Sequence, residues 1–222
     1  MKMTNNPLIV ALDVETLGHA KTLVETLGDH VQIYKVGSQL FTACGPEVIY
    51  YLEKLGKKVF LDLKFHDIPN TVASAVQSAA GLKVFMLTVH TVGGHEMLKA
   101  AVAKKGSHGP LIVGVTVLTS EKQAVNMAAL VLERAKLAFS AGLDGVVASA
   151  EEAALIRREF GPKFIIVTPG IRPKDASEDD QKRVATPKSA IESGSNYLVV
   201  GRPIVKARDP RQAAKDILDQ IT

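Results

Sequence analysis

Cysteine and tryptophan are scarce in this 222-residue chain, which has one cysteine, Cys44, and no tryptophan. A single thiol excludes an internal disulfide and argues against a cysteine-based metal site. A small buried apolar side chain is the commonest role of such a residue, so we expect no nucleophilic role for Cys44. No apolar run approaches the roughly 20 residues of a membrane span, and the start of the chain lacks a signal-peptide pattern. We therefore expect a cytoplasmic protein with no membrane partner.

Sequence motifs for nucleotide and metal binding are also missing. Gly93-Gly94 is not followed by the Gly-Lys-Ser/Thr of a P-loop, and no G-x-G-x-x-G pattern occurs. The six histidines show no H-E-x-x-H spacing. The formal charge of +4 is scattered along the chain and forms no long basic run. We expect no cofactor, no metal and no nucleic-acid partner, and a small anionic substrate would suit the charge balance.

Eight short apolar runs rich in β-branched residues are present, with a spacing that suits one strand and one helix per unit. They are Leu8 to Leu12, Val31 to Val36, Val59 to Leu63, Val84 to Val89, Leu111 to Val117, Gly145 to Ala148, Phe164 to Thr168 and Tyr197 to Val200. Nearly continuous apolar strands that alternate with helices indicate a parallel sheet covered by helices. The sequence therefore predicts an α/β fold, a single (β/α)8 TIM barrel with one domain over residues 1–222, and a doubly wound open sheet is the alternative.

Helix signals fill the gaps between these runs. Residues 149–152 form a capping box, Ser-Ala-Glu-Glu, and Thr186-Pro187 and Asp209-Pro210 each place an N-cap residue before a first-turn proline. The long connection from Thr119 to Leu143 is predicted to hold the helix that follows the fifth strand.

Polar residues occur where a barrel core would not place them, at the predicted strand ends. They are Asp13, Lys35, Asp62, Lys64, His90 and Thr116. Side chains alternate along a strand, so Asp62 and Lys64 should both enter the barrel mouth. A structural salt bridge is one interpretation of this pair. The presence of Lys35 and Asp67 makes four charged groups and favours catalysis, whereas His90 is expected to be a hydrogen-bonded structural residue.

A second group of candidate site residues follows the predicted strands seven and eight. Residues 168–173 read Thr-Pro-Gly-Ile-Arg-Pro and residues 200–203 read Val-Gly-Arg-Pro, so each strand is followed by glycine and then arginine. Loops at these two places form the recurrent phosphate site of the barrel fold. Glycine lets backbone N–H groups approach an anion, and arginine supplies a fixed fork of donors. The pattern predicts a phosphorylated substrate, and turn glycines with solvated arginines are the alternative.

Together these motifs resemble those of the orotidine 5′-monophosphate decarboxylase family. The matching segments are ALD at 11–13, KVG at 35–37, DLKFHDIPNT at 62–71, LTS at 118–120, GLDGVV at 142–147, TPGIRP at 168–173 and VGRP at 200–203. They occur in order over almost the whole chain. The D-x-K-x-x-D segment with its Ile-Pro-Asn-Thr continuation is specific for this family within its barrel superfamily.

The resemblance implies a cofactor-free decarboxylase of pyrimidine nucleotide synthesis that works as a homodimer. It implies a charged catalytic network of Lys35, Asp62, Lys64 and Asp67, with Lys64 as the proton donor. It also implies that Asp67, Ile68 and Thr71 reach across the dimer interface. The remaining assignments are Asp13 and Lys35 to the ribose, Thr119 and Ser120 to the pyrimidine, and Arg172, Gln181, Gly201 and Arg202 to the phosphate.

Two other functions compete with this one. A metal-dependent decarboxylase acting on 3-keto-gulonate 6-phosphate shares the D-x-K-x-x-D core, but the continuation through residues 66–71 and Gln181 favour the pyrimidine enzyme. A noncatalytic nucleotide-binding barrel is the other alternative, and the complete charged set argues against it. The polar stretch Lys174 to Arg183 is the predicted lid, and the segment 119–143 is shorter than in many relatives.

Overall fold

Eight parallel strands close into a barrel in chain order, with β1 hydrogen-bonded to both β2 and β8. This computed structural model describes residues 6–118, 126–173 and 185–221. The strands are β1 (Leu8–Ala11), β2 (Ile33–Gly37), β3 (Lys58–Phe65), β4 (Met86–His90), β5 (Leu111–Val115), β6 (Gly145–Val147), β7 (Ile165–Thr168) and β8 (Tyr197–Val200). Each predicted run overlaps one of these strands, and β2, β3 and β4 extend beyond the predicted bounds. The (β/α)8 barrel is confirmed, and an open doubly wound sheet is wrong because β8 pairs with β1.

Ten α-helices occur in the described parts of the chain, between the strands and after the last one. They are α1 (Leu17–Leu27), α2 (Ser38–Cys44), α3 (Glu47–Lys54), α4 (Pro69–Gly81), α5 (Gly94–Lys104), α6 (Met127–Ser140), α7 (Ala150–Phe160), α8 (Pro187–Glu192), α9 (Arg202–Val205) and α10 (Pro210–Asp219). The helix predicted after the fifth strand is α6. No helix in these parts combines the length and the apolar content that a membrane crossing requires.

The predicted caps begin three of these helices. The Thr186 hydroxyl accepts a hydrogen bond from the Ser189 backbone N–H at the start of α8, and the Asp209 carboxylate accepts one from the Gln212 N–H at the start of α10. Ser149 precedes α7 as predicted, but its side chain makes no capping hydrogen bond. Its hydroxyl donates to the Glu152 carboxylate instead. The position of the capping box was therefore right and its bonding was wrong.

The apolar core lies in two layers, one between the strands and the helices and one inside the barrel. The inner layer consists of Ile9, Ala11, Ile33, Phe60, Met86, Val113, Val167, Tyr197 and Val199. Burying an aliphatic or aromatic side chain of this size stabilises the fold by roughly 1.5–3 kcal/mol. On the first four strands, the next inward position toward the carboxyl end is polar, namely Asp13, Lys35, Asp62 and Thr88. The core therefore ends in a layer of polar side chains, and this layer is the floor of the candidate site.

Candidate active site

A cavity of about 490 Å³ opens at the carboxyl ends of the strands. Its charged lining residues are Asp13, Lys35, Asp62, Lys64, Glu152, Arg172, Arg202 and Lys206. They come from both ends of the chain, because strands that are far apart in sequence meet around the closed barrel. This end of a (β/α)8 barrel is where the fold places active sites.

A continuous chain of charged groups crosses one side of the cavity. The Lys35 Nζ atom lies 2.8 Å from Asp13 Oδ1 and 3.7 Å from Asp62 Oδ2. The Lys64 Nζ atom lies 2.9 Å from Asp62 Oδ1. The side chains of Lys35 and Asp62 are only 11% and 13% exposed, whereas that of Lys64 is 39% exposed. Buried charges need partners of opposite sign, and here each has one, with Lys64 the more exposed of the two lysines.

The backbone of β3 is irregular where it carries this pair. The strand register shifts between Leu61 and Phe65, and Lys64 has a positive φ of 52°. A side chain with a β-carbon adopts this left-handed conformation at a cost of roughly 1–2 kcal/mol. Such strain persists where surrounding contacts hold it, and it is typical of functional sites. The irregularity places Lys64 beside Asp62, as the alternation argument predicted, but by a bend that sequence alone did not indicate.

Thr88 forms a hydrogen bond with the backbone of this irregular part of β3. It lies in β4, is fully buried, and its Oγ1 atom accepts a hydrogen bond from the Lys64 backbone N–H at 2.8 Å. The same hydroxyl donates to Asp62 Oδ1 at 3.1 Å. Sequence reasoning missed Thr88 because threonine is an ordinary strand residue. The only indication in the sequence was that Thr88 is polar and lies two residues after Met86, so both side chains point into the barrel.

Gly37 at the end of β2 leaves room for the charged groups. A β-carbon at this position would lie 3.0 Å from Lys35 Nζ and 3.5 Å from Asp13 Oδ1. The first distance is closer than nearly all real β-carbon contacts, so the ammonium would have to move. Glycine at this position therefore allows Lys35 and Asp13 to keep their contact.

The two glycine–arginine loops form another part of the cavity wall, which begins next to Asp13 because β8 pairs with β1. Gly170 and Arg172 follow β7, Gly201 and Arg202 follow β8, and all four line the cavity. Gly170 has a positive φ of 75°, which only glycine adopts readily. The Arg172 side chain is buried, although a solvated arginine was the alternative interpretation. The loops predicted to bind phosphate therefore lie together and line the same cavity as the charged chain.

Three further lining residues had no predicted site role. Ser149 and Glu152 are buried in the wall beside β6, and Lys206 follows α9 at an exposed position. The sequence pattern predicted only a helix-capping role for Ser149 and Glu152, so their position in the cavity wall was not predicted. Thr116 also lines the cavity, and its hydroxyl donates to the Val147 carbonyl at 2.8 Å.

Asp67, Ile68 and Thr71 do not join this cavity within one chain. All three are exposed, and 67% of Ile68 is accessible to solvent. The Asp67 Oδ1 atom accepts a hydrogen bond from the Ile68 N–H at 2.6 Å. The His66 ring, beside Asp67, lies 5.8 Å from the ring of His90. The structure therefore brings Lys35, Asp62 and Lys64 together and leaves the fourth predicted member on the outer surface.

Several predicted positions lie outside the described residues. They are Thr119, Ser120, Gln181 and the Lys174 to Arg183 stretch. Within residues 6–118, 126–173 and 185–221, no group of three or more histidine, cysteine, aspartate or glutamate side chains is arranged to hold a metal ion.

Cys44 lies away from the charged groups, at the end of α2. It is half-buried, and its Sγ atom lies 3.0 Å from the Leu40 carbonyl oxygen. Burial raises the pKa of the Cys44 thiol, so the nucleophilic thiolate is disfavoured. This agrees with the expected packing role.

A closed barrel with a charged cavity at the carboxyl ends of its strands defines the chain as an enzyme of the (β/α)8-barrel class. The chain belongs to the Orotidine 5′-phosphate decarboxylase / HUMPS family, whose model matches residues 6–217. The family resemblance found in the sequence is thereby confirmed.

Individual relatives agree with the family match. The chain is 48% identical to the orotidine 5′-phosphate decarboxylase of Geobacter sulfurreducens, over 96% of this chain and 95% of that protein. It is 48% identical to the enzyme of the same name from Dichelobacter nodosus, over 97% and 99% of the two chains. The crystal structure of orotidine 5′-phosphate decarboxylase from Lactobacillus acidophilus matches with a TM-score of 0.85 and 39% identity, covering 98% of this chain and 99% of that one.

Proposed function

We propose that this protein converts orotidine 5′-monophosphate to uridine 5′-monophosphate and CO2 in pyrimidine biosynthesis, without a metal or an organic cofactor. The observation that carries the proposal is the Lys64–Asp62 pair, which lines the same cavity as the two glycine–arginine loops. One part of the cavity offers a cation to a reacting carbon, and another part offers two guanidinium groups to a phosphate. The names of the close relatives support the same substrate.

The reaction needs a cation at the reacting carbon. When the bond from the pyrimidine ring to the carboxylate breaks, CO2 leaves and the electron pair stays on a ring carbon with little resonance delocalisation. An ammonium held in place before the reaction stabilises that charge without reorganisation. In the proposed mechanism Lys64 then transfers a proton to the same carbon, which yields the product and a neutral amine that solvent reprotonates.

Asp62 holds the Lys64 ammonium and lies where the substrate carboxylate would approach. Its repulsion of that carboxylate would raise the energy of the bound substrate, an effect that acts together with stabilisation of the carbanion. Lys35 limits this repulsion by sharing the charge of Asp62 at 3.7 Å.

The remaining cavity residues have proposed binding roles. Asp13 and Lys35 bind the ribose hydroxyls, and Arg172, Gly201 and Arg202 bind the phosphate together with Gln181. Thr119 and Ser120 bind the pyrimidine. The phosphate is far from the bond that breaks, so its binding energy is available to close the site and exclude water.

We further propose that the protein works as a cytoplasmic homodimer in which Asp67, Ile68 and Thr71 complete the site of the partner subunit. The exposure of all three supports this, because an apolar residue such as Ile68 is stabilised when another surface covers it. Burial at an interface would bring the Asp67 carboxylate into a cavity that it does not reach in its own chain.

The test is the ultraviolet absorbance of orotidine 5′-monophosphate incubated with purified protein and excess chelator. We expect conversion to uridine 5′-monophosphate by the protein and loss of conversion in Lys64→Ala. A protein that leaves this substrate intact but decarboxylates 3-keto-gulonate 6-phosphate with added Mg²⁺ would be the metal-dependent alternative. A protein that binds nucleotides and converts neither substrate would be a binding barrel.

A further inference from the structure

We propose that Thr88 is a positioning residue for decarboxylation, which sets the direction of the Lys64 ammonium through a two-way hydrogen bond. The inference rests on the proposed function of Lys64 as the cation at the reacting carbon. Thr88 is fully buried beneath the charged pair, so it acts through Lys64 and Asp62 and not by touching the substrate.

The direction of both hydrogen bonds follows from the chemistry of the groups. The Lys64 backbone N–H can only donate, so the Thr88 oxygen is the acceptor at 2.8 Å. The single hydroxyl proton is then available to Asp62 Oδ1 at 3.1 Å, and an ionised carboxylate can only accept. One side chain therefore ties the backbone of Lys64 to the carboxylate that holds its ammonium.

The geometry of β3 shows why Lys64 needs this contact. Its backbone is in the left-handed region at φ 52°, in the segment where the strand register shifts. An L-residue adopts this conformation only where neighbouring contacts hold it. Without the acceptor on Thr88, the Lys64 N–H would lose its hydrogen bond and the segment could relax toward a regular strand. In a regular strand the Lys64 side chain would extend from β3 in a different direction.

The Asp62 carboxylate is oriented by the same hydroxyl. Its Oδ1 atom receives two donors, the Lys64 ammonium at 2.9 Å and the Thr88 hydroxyl, while its Oδ2 atom faces Lys35 at 3.7 Å. Removal of the hydroxyl would free the carboxylate to rotate between the two ammonium groups. Catalysis would fall because a cation misplaced by a fraction of an ångström stabilises the carbanion less.

The test compares Thr88→Val, which keeps the shape and removes the hydroxyl, with Thr88→Ser, which restores it. We expect Thr88→Val to lower kcat by about tenfold to a hundredfold, the range expected for hydrogen bonds to charged groups, with little change in KM. We expect Thr88→Ser to recover most of that loss. If Thr88→Val does not fold, Thr88→Cys replaces it with the same expectation, because a thiol donates and accepts weakly.

A matched control separates positioning from folding. Thr91 is also buried, and its hydroxyl donates to the Val115 carbonyl at 2.8 Å, without contact to the charged groups. We expect Thr91→Val to lower the melting temperature and keep kcat. The inference would be overturned if Thr88→Val had the kcat of the parent protein, or if the two valine variants lost kcat in proportion to their loss of melting temperature.

Hydrogen exchange at the Lys64 amide gives a readout that does not need the reaction. We expect the amide to be protected in the parent protein and in Thr88→Ser, and to exchange faster in Thr88→Val. Unchanged protection of this amide in Thr88→Val would overturn the inference even if that variant had lost kcat. If the parent protein did not decarboxylate orotidine 5′-monophosphate, the proposed function would fail, and the exchange measurement would still decide whether Thr88 holds Lys64.

Discussion

The Lys64 ammonium lies 2.9 Å from Asp62 Oδ1, and the two residues are only two positions apart on β3. The contact pairs a half-buried cation with a carboxylate that is mostly shielded from water. Asp62 has two other partners, Lys35 and the Thr88 hydroxyl. Lys64 is thus the member of the pair that can turn toward a ligand while Asp62 keeps polar partners.

Replacement of Lys64 by alanine is expected to abolish measurable turnover and preserve the fold. General acid catalysis alone contributes about 10²-fold to 10⁴-fold, and charge stabilisation at the same carbon adds to it. The measurement is kcat from ultraviolet absorbance, with circular dichroism as the check on folding. A folded Lys64→Ala protein with kcat near that of the parent would contradict the assigned role.

Arg202→Ala is expected to lower kcat/KM for orotidine 5′-monophosphate by about tenfold to a hundredfold, because a hydrogen-bonded guanidinium is lost from the phosphate. The same variant should act on orotidine, which has no phosphate, as the parent protein does. Arg158→Ala is the matched control, since Arg158 is exposed on the last turn of α7 and does not line the cavity. Equal losses on the two substrates would show that Arg202 does not recognise the phosphate.

Mixing two inactive variants tests the shared site. Lys64→Ala and Asp67→Asn homodimers should each be nearly inactive. If Asp67 serves the partner subunit, a mixed dimer has one site with both native residues, so random exchange restores about a quarter of the sites. The measurement is activity after the variants are unfolded and refolded together, compared with each refolded alone. Activity that stays at the level of the separate variants would place Asp67 in the site of its own chain or outside catalysis.

Tyr34→Phe is expected to keep or raise the free energy of unfolding at pH 7, by up to about 1–2 kcal/mol. The Tyr34 hydroxyl is buried and has no hydrogen-bond partner among the described residues, so its removal relieves a desolvation penalty. The measurement is urea unfolding, and Tyr50→Phe is the control because Tyr50 is exposed. A clear loss of stability in Tyr34→Phe would show that the hydroxyl has a stabilising partner.

The same variant should change the stability at high pH. Burial raises the pKa of Tyr34 above its usual value of 10.0, with smaller contributions from Tyr51 and Asp29. The folded state therefore favours the neutral phenol, while the unfolded chain loses the proton once the pH passes about 10. This contribution to stability is complete below pH 10 and is lost as the pH rises further. The advantage of Tyr34→Phe over the parent protein should thus grow above pH 10.

Much of the fold and of the site could be predicted from the sequence because the patterns that specify them are local. Apolar runs separated by helix caps indicated all eight strands. Polar residues at the strand ends indicated Asp13, Lys35, Asp62 and Lys64, since a barrel places such ends together. The two glycine–arginine loops were predicted by the same rule.

The parts that could not be predicted depend on contacts between strands. The left-handed backbone at Lys64 has no local signal, since neither lysine nor its neighbour Phe65 favours that conformation. Thr88 becomes important only because β4 lies beside the irregular part of β3. Ser149 and Glu152 matched a capping pattern, but their side chains are buried in the cavity wall and hydrogen-bond to each other.

The two halves of the chain contribute different charged groups to the cavity, because of the order of the strands around the barrel. The Lys35, Asp62 and Lys64 group comes from the second and third strands, and the two arginines follow the last two strands. A substrate that reaches from one group to the other would contact the amino-terminal and the carboxyl-terminal halves at the same time. Ligand binding should therefore oppose separation of the halves, and the two fragments of a chain cut between β4 and β5 should associate more tightly when the ligand is present.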